Sequence, residues 1–246
     1  MPAGLSRPAV AEIVGTFALT FVGLLAISAG TISGAPQGTV SLATVALAHG
    51  FTILVMVSAL GAISGAHFNP AVTFGFVATG RMRPAAGAVY WAAQIGGAAL
   101  AALLVRALFG AGPVGAGTPD LAAGVSQTAG IVVEAVTTFL LVVVIFGSAV
   151  DERAPKSVFP VAIGLAVAAN IMAAGPVTGA AMNPARVLGP ALVSGHWSNH
   201  PVYWIGPLLG AVLGAFVQHS VLMARAPSPA VAARGGPAPD EERGHR

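Results

Sequence analysis

Two asparagines, Asn69 and Asn183, each open the tripeptide Asn-Pro-Ala, and they are the residues of this chain best suited to act on a small polar molecule. A carboxamide carries two N–H donors and an acceptor oxygen. Asparagine is also a favoured helix N-cap, and proline is favoured directly after it, where its missing N–H costs nothing. Asn69-Pro70-Ala71 and Asn183-Pro184-Ala185 therefore read as the starts of two helices, each with a carboxamide at the positive end of the helix dipole. The stretches that follow, 71–79 and 185–194, supply only about two turns or slightly more, too little to cross a bilayer. Two such half-helices entering from opposite faces meet near the midplane with their positive ends together, which disfavours cations, protons included.

The residues before each motif complement those donors. Gly65, Ala66 and His67, and Gly179, Ala180 and Ala181, are small or flexible enough for an extended backbone whose carbonyls point into a lumen. Such backbone is tolerated at membrane depth only beside water or inside protein. The expectation is a line of carbonyl acceptors on either side of two amide donors, past which a small neutral solute moves by exchanging partners and so avoids full desolvation.

The elements that hold these groups are set by a lipid solvent. The 246 residues are 56% hydrophobic and 8% charged, with mean hydropathy +0.84, far from the balance of a soluble domain. Six stretches near 10–30, 40–64, 86–108, 128–149, 158–176 and 202–223 are each long enough to span a hydrocarbon core. The first is full-length and contains Glu12, so it reads as a retained span and not as a cleaved signal. Residues 224–246, rich in Ala, Pro, Gly and charge, read as a disordered cytoplasmic tail. Arg7, Arg81, Arg83, Arg153, Lys156, Arg225, Arg234, Arg243 and Arg246 fall on one side of six spans, which puts both termini in the cytoplasm. Tyr90-Trp91 and Tyr203-Trp204, at the starts of spans three and six, are expected to sit at opposite lipid interfaces.

The chain repeats itself. The two Asn-Pro-Ala motifs are offset by 114 residues, as are Gly50 and Gly164, and the Tyr-Trp pairs are offset by 113. Glu12 and Phe17 correspond to Glu134 and Phe139 at an offset of 122. The units run about 9–109 and 128–223 within one channel domain, 1–223, and three spans per unit make the halves antiparallel. Each half opens on a span with one buried acid. Glu12 and Glu134 read as structural acceptors for backbone N–H groups of the re-entrant loops; the alternative for an ionisable group in a span is a proton relay.

Several function classes drop out. No cysteine is present, so no disulfide, zinc-thiolate or thiol nucleophile is available. The six histidines are scattered, no paired catalytic carboxylates occur, and the expectation is no enzyme, no metal and no cofactor. A formal charge of +3 brings no basic stripe interleaved with aromatics, and hence no nucleic-acid partner. The Ala-, Gly- and Val-rich bias with compact loops reads as a bacterial plasma membrane on composition alone.

Two Asn-Pro-Ala boxes in register, Ser-Gly-Ala-His before the first, Arg186 after the second, and an acid in spans one and four together resemble the aquaporins of the major intrinsic protein family over about residues 9–223. The resemblance implies an all-α membrane protein, a right-handed bundle of six spans plus two re-entrant half-helices, assembled as a homotetramer with one pore per subunit. It implies that Asn69 and Asn183 donate to the permeating molecule. Counting from the motifs, the family's outer constriction falls on His49, Ile171, Ala180 and Arg186, a set similar to that of plant tonoplast intrinsic proteins. Against the usual residues, Ala180 and Ile171 leave one side wider, with His49 and Arg186 expected to offer donors on the other. Water is the expected solute, with ammonia, hydrogen peroxide and urea as further candidates. Glycerol facilitators commonly have Asp after that arginine; Val187 and Tyr203-Trp204 here fit water channels better. A proton-coupled transporter with inverted repeats and a scaffold with a residual pore are the rival classes.

Overall fold

The structure, a computed structural model, describes residues 5–35 and 40–223; the expected tail, with its four arginines, lies outside the described residues. Among the described residues six helical segments are long and apolar enough to cross a membrane: α1 (Ser6–Ser33), α2 (Leu42–Ser64), α4 (Pro84–Phe109), α6 (Gln127–Ile145) with its continuation to Val150, α7 (Phe159–Thr178) and α9 (Val202–Phe216) with its continuation to Leu222. Single π-helical turns, Phe146–Val150 and Val217–Leu222, prolong α6 and α9. Two short helices, α3 (Pro70–Ala78) and α8 (Pro184–Ser194), begin at the Asn-Pro-Ala motifs, and α5 (Ala111–Gly117) lies in the connection between α4 and α6. The protein is an integral, multi-pass, all-helical membrane protein.

The boundaries follow from capping. Ser41 Oγ accepts from the Thr44 N–H at 3.1 Å at the start of α2, and Ser126 Oγ from the Ala129 N–H at 3.2 Å at the start of α6. Pro84 stands in the first turn of α4, where an absent N–H costs nothing. Gly65 and Gly179 close α2 and α7 with φ of +81° and +80°, a left-handed turn that releases the chain back into the bundle. Those two glycines start the re-entrant loops.

Close packing of small residues holds the bundle, since apolar side chains gain nothing by leaving lipid for one another. At the centre α2 crosses α7, and a Cβ on either Gly50 or Gly164 would lie 2.6 Å from the other's carbonyl oxygen. The outer pairs repeat one design: Gly97 of α4 lies against the Ile13 backbone of α1, and Gly210 of α9 against the Ala135 backbone of α6. These contacts are related by the repeat offsets, so the sequence duplication is a physical two-fold. Arg81 Nη2 donates to His219 Nδ1 at 3.2 Å and Arg153 Nη2 to the Leu222 carbonyl at 3.3 Å, which gathers these basic residues at one end of the bundle. Arg106, at the other end of α4, donates to the Val193 carbonyl at 2.7 Å.

The tyrosine-tryptophan pairs depart from the expected interfacial belts. Tyr90 and Tyr203 are buried, and their hydroxyls donate to the Ser64 and Thr178 carbonyls at 2.8 and 2.9 Å. The half-buried Trp91 and Trp204 rings meet edge to face with centroids 5.7 Å apart. Polar tips that find loop carbonyls inside the bundle have no need of the headgroup region.

Candidate functional site

Each motif asparagine caps its half-helix. Asn69 Oδ1 accepts from the Ala71 N–H at 2.8 Å, and Asn183 Oδ1 accepts from the Ala185 and Arg186 N–H groups at 3.1 and 3.3 Å. With the oxygens so used, both Nδ2 groups point across the molecule. Asn69 Nδ2 donates to the Met182 carbonyl at 2.7 Å, and Asn183 Nδ2 to the Phe68 carbonyl at 2.8 Å. Each Nδ2 carries two hydrogens, so one remains for the lumen, which both residues line. Pro70, Ala71, Pro184 and Ala185 form the first helical turns behind them and are buried.

The loops before the motifs are shaped by the buried acids. Glu12 accepts from Ser64 Oγ at 2.7 Å, from the His67 and Phe68 N–H groups at 3.0 and 2.6 Å, and from Gln94 Nε2 at 2.8 Å. Glu134 accepts from Thr178 Oγ1 at 2.7 Å and from the Ala181 and Met182 N–H groups at 2.9 and 2.7 Å. Every partner is a donor, so both carboxylates serve as acceptors. Because a trans peptide places C=O opposite N–H, turning the N–H of His67 and Phe68 toward Glu12 turns the carbonyls of Ala66 and His67 the other way. The same holds for Ala180 and Ala181 about Glu134. Further up each loop, the Ala66 and Ala180 N–H groups bond Ser64 Oγ and Thr178 Oγ1 at 3.0 and 3.1 Å, which turns the Gly65 and Gly179 carbonyls likewise.

That geometry requires unusual backbone. Ala66, Phe68, Ala180 and Met182 have φ of +51°, +49°, +44° and +51°, a left-handed region in which non-glycine residues are strained and persist only when their surroundings over-determine them. The carboxylate clamps supply that determination. His67 adds a brace: its Nδ1 lies 3.0 Å from Thr73 Oγ1 and its ring packs on Phe76 and Tyr90.

A narrow cavity of about 70 Å³ runs along these groups, room for only a few waters. Gly65, Ala66, His67, Asn69, Ala180, Ala181 and Asn183 provide its polar wall. Ile53, Val57, Val72, Leu141, Ile145, Ile163 and Val167 give the rest of its wall an apolar surface. Ala149, Phe159, His49, Ile171 and Arg186 complete the lining. Ile171 and Arg186 also line an outer vestibule of about 740 Å³, together with Gly179 and Asp120. The four positions His49, Ile171, Ala180 and Arg186 thus share one cavity.

Arg186 is buried, and its Nη1 donates to the Gly117 carbonyl at 3.3 Å, at the end of α5. His49 departs from the expectation of a free donor. Its Nδ1 lies 2.8 Å from the Val45 carbonyl, which can only accept, so Nδ1 carries the hydrogen and Nε2 of the neutral ring is left as an acceptor. Val187, the residue after Arg186, is buried against Val202 and Tyr203.

The vestibule rim is fastened by Asp120. It accepts from Asn199 Nδ2 at 2.7 Å and the Leu121 N–H at 2.7 Å, and pairs with His196 Nε2 at 2.8 Å. Burial raises the affinity of this carboxyl for its proton, but the three hydrogen bonds outweigh it and hold Asp120 below the usual carboxylate range.

Sequence reasoning passed over Ser64, Thr178, Tyr90, Tyr203 and Gln94 as members of this assembly. The repeat offset would have found four of them, since Ser64 and Thr178 are separated by 114 residues and the tyrosines by 113. Among the described residues no cluster of three or more His, Asp or Glu suits a metal ion.

A family model described as "Major intrinsic protein" matches residues 3–218. The chain is 44% identical over 226 residues to "Aquaporin TIP4-4" of Zea mays, covering 91% of this chain and 89% of that protein. It is 42% identical to "Probable aquaporin TIP3-2" of Arabidopsis thaliana, covering 88% and 84%, and 40% identical to "Aquaporin TIP2-1" of the same plant, covering 88% of each. The fold is similar to that of the aquaglyceroporin from Plasmodium falciparum, with TM-score 0.78, 24% identity, and 88% and 96% of the two chains covered.

Proposed function

The chain belongs to the major intrinsic protein family, and on that premise we propose how its residues carry out the passive conduction of water. The observation that supports the proposal most is the reciprocal bonding of Asn69 and Asn183 across two abutting helix starts. One N–H of each carboxamide is fixed on the opposite loop, and the second donates to the passing molecule. A water that accepts from both keeps its own hydrogens pointed away along the file. The positive helix ends add a barrier to hydronium and other cations at the same level.

The carbonyls of Gly65, Ala66, His67, Gly179, Ala180 and Ala181 serve as successive acceptors, and the apolar wall keeps water from binding strongly enough to stall. Glu12 and Glu134 act as structural acids that hold those carbonyls, with no part in proton relay. His49, Ile171, Ala180 and Arg186 form the selectivity filter. With Ala180 small and Ile171 apolar, the filter also admits small neutral solutes, hydrogen peroxide, urea and ammonia, in addition to water.

Residues 1–223 act as one channel domain built of repeats 9–109 and 128–223, both termini face the cytoplasm, and the chain assembles as a homotetramer in the bilayer. The relatives named above are plant proteins, so they lend nothing to the compositional reading of a bacterial plasma membrane. The likeness to an aquaglyceroporin is one of fold and does not favour glycerol as the principal solute. Catalysis has no place in this reading.

Stopped-flow light scattering on proteoliposomes, under an impermeant osmotic gradient and then under urea and glycerol gradients, tests it. Water flux well above that of empty liposomes, with low activation energy and no saturation or dependence on a proton gradient, is the expected result. Water flux equal to that of empty liposomes overturns it, and urea flux at the empty-liposome level restricts the filter to water.

A further inference from the structure

His49 lies in a recess that a single missing atom creates. Its ring packs against Gly23 of α1, where a Cβ would fall in collision with Nε2, 2.9 Å from Cε1 and 3.1 Å from Cδ2. His49 Nδ1 is meanwhile tied to the Val45 carbonyl on its own helix, and the ring is only 3% exposed. The imidazole is therefore held by its helix on one side and by a glycine notch on the other, and its remaining side borders the lumen shared with Ile171, Ala180 and Arg186.

Among the described residues His49 Nε2, the ring atom that faces Gly23, is buried without a hydrogen-bond partner, so packing on the glycine and not a polar bond holds that edge of the ring.

We propose that Gly23 is a specificity-determining position of this pore: by lacking a side chain it lets the His49 ring sit against α1, which sets the bore at the filter. The proposal rests on His49 being part of the filter. A methyl group at position 23 displaces the ring off α1 into the lumen and constricts it. The constriction is a property of the pair, because removal of the imidazole removes the collision. Alanine is otherwise the better helix former, so without the collision the exchange favours the span.

Four proteins decide the matter: the parent, Gly23→Ala, His49→Ala and Gly23→Ala with His49→Ala, reconstituted at equal density and assayed for water and glycerol flux. Gly23→Ala is expected to lower water permeability about tenfold, equivalent to about 1.4 kcal/mol of added barrier. His49→Ala is expected to raise glycerol flux several-fold, and the double variant to behave as His49→Ala does. A Gly23→Ala protein as permeable as the parent overturns the proposal, as does a double variant as impaired as Gly23→Ala. If Gly23→Ala fails to insert, recovery of folded, conducting protein in the double variant supports the pairing and equal misfolding of both refutes it. A His49→Ala protein with unchanged glycerol exclusion removes the filter role itself, a separate failure from that of the recess.

Discussion

Asn69 and Asn183 each reach across the molecule to a backbone carbonyl of the other's loop, Asn69 to Met182 at 2.7 Å and Asn183 to Phe68 at 2.8 Å. Each bond is the two-fold image of the other, because Phe68 and Met182 are themselves 114 residues apart. The amides are thereby oriented from both ends, oxygen into the helix start and nitrogen into the opposite loop. Rotation about the side-chain torsions would break two bonds at Asn69 and three at Asn183.

Replacing Asn183 by aspartate keeps the cap and removes the donor. A carboxylate oxygen then faces the Phe68 carbonyl, at a cost of about 1–3 kcal/mol for the lost bond. The negative charge also sits at two positive helix ends and lowers the barrier to cations. The variant is expected to melt at lower temperature in detergent and, where it inserts, to leak sodium or protons. Behaviour equal to the parent in both assays contradicts the donor role.

Glu134→Gln trades one acceptor oxygen for an NH₂ group amid three donors, from Thr178, Ala181 and Met182. At least one buried N–H or O–H loses its partner, which costs about 1–3 kcal/mol. The strained φ at Ala180 and Met182 loses its restraint, and water conduction is expected to fall with stability. A proton relay predicts the opposite pattern, with stability intact and proton coupling abolished.

Arg186→Val removes a charged side chain from the lumen wall and its bond to the Gly117 carbonyl. Water permeability is expected to stay within about twofold of the parent while exclusion of larger neutral solutes and of cations relaxes. Parallel glycerol, urea and proton flux assays read the change. Unaltered selectivity assigns the arginine to packing alone.

The outer mouth is expected to depend on acid. Asp120 is held below its ordinary value, so the stability it contributes is fully present above the usual carboxylate range near pH 4 and is lost as pH falls through its depressed folded-state value. Melting temperature measured from about pH 6 to pH 3 is expected to drop more steeply in the parent than in Asp120→Asn, which has no proton to bind there. Parallel slopes for the two proteins would falsify the clamp.

Much of this architecture is legible from the chain because membrane spans announce themselves by length and the half-helices by Asn-Pro at their starts. The reading of six spans and two stubs agrees with α1–α9 to within a few residues at most ends, and the family resemblance agrees with the relatives found. What escapes is what carries no periodic or compositional mark. α5 is seven residues with three glycines and a proline, a composition that reads as loop, yet its last carbonyl receives Arg186. The tyrosines looked interfacial because amphipathic rings usually are; only tertiary contact reveals that their hydroxyls are consumed by Ser64 and Thr178. The orientation of His49 depends on which nitrogen its own helix occupies, and no spacing rule reports that.

The crossed asparagine bonds also bear on how the protein comes into being. A ribosome delivers Asn69 to the bilayer long before Met182 exists, so the first stub must wait, its loop braced by Glu12 and Gln94 but its carboxamide unanswered. Both crossed bonds need the second loop, because one donor is Asn183 and the other bond's acceptor is Met182. A chain truncated before Met182, however well its early helices are seated, therefore leaves the Asn69 carboxamide without its partner.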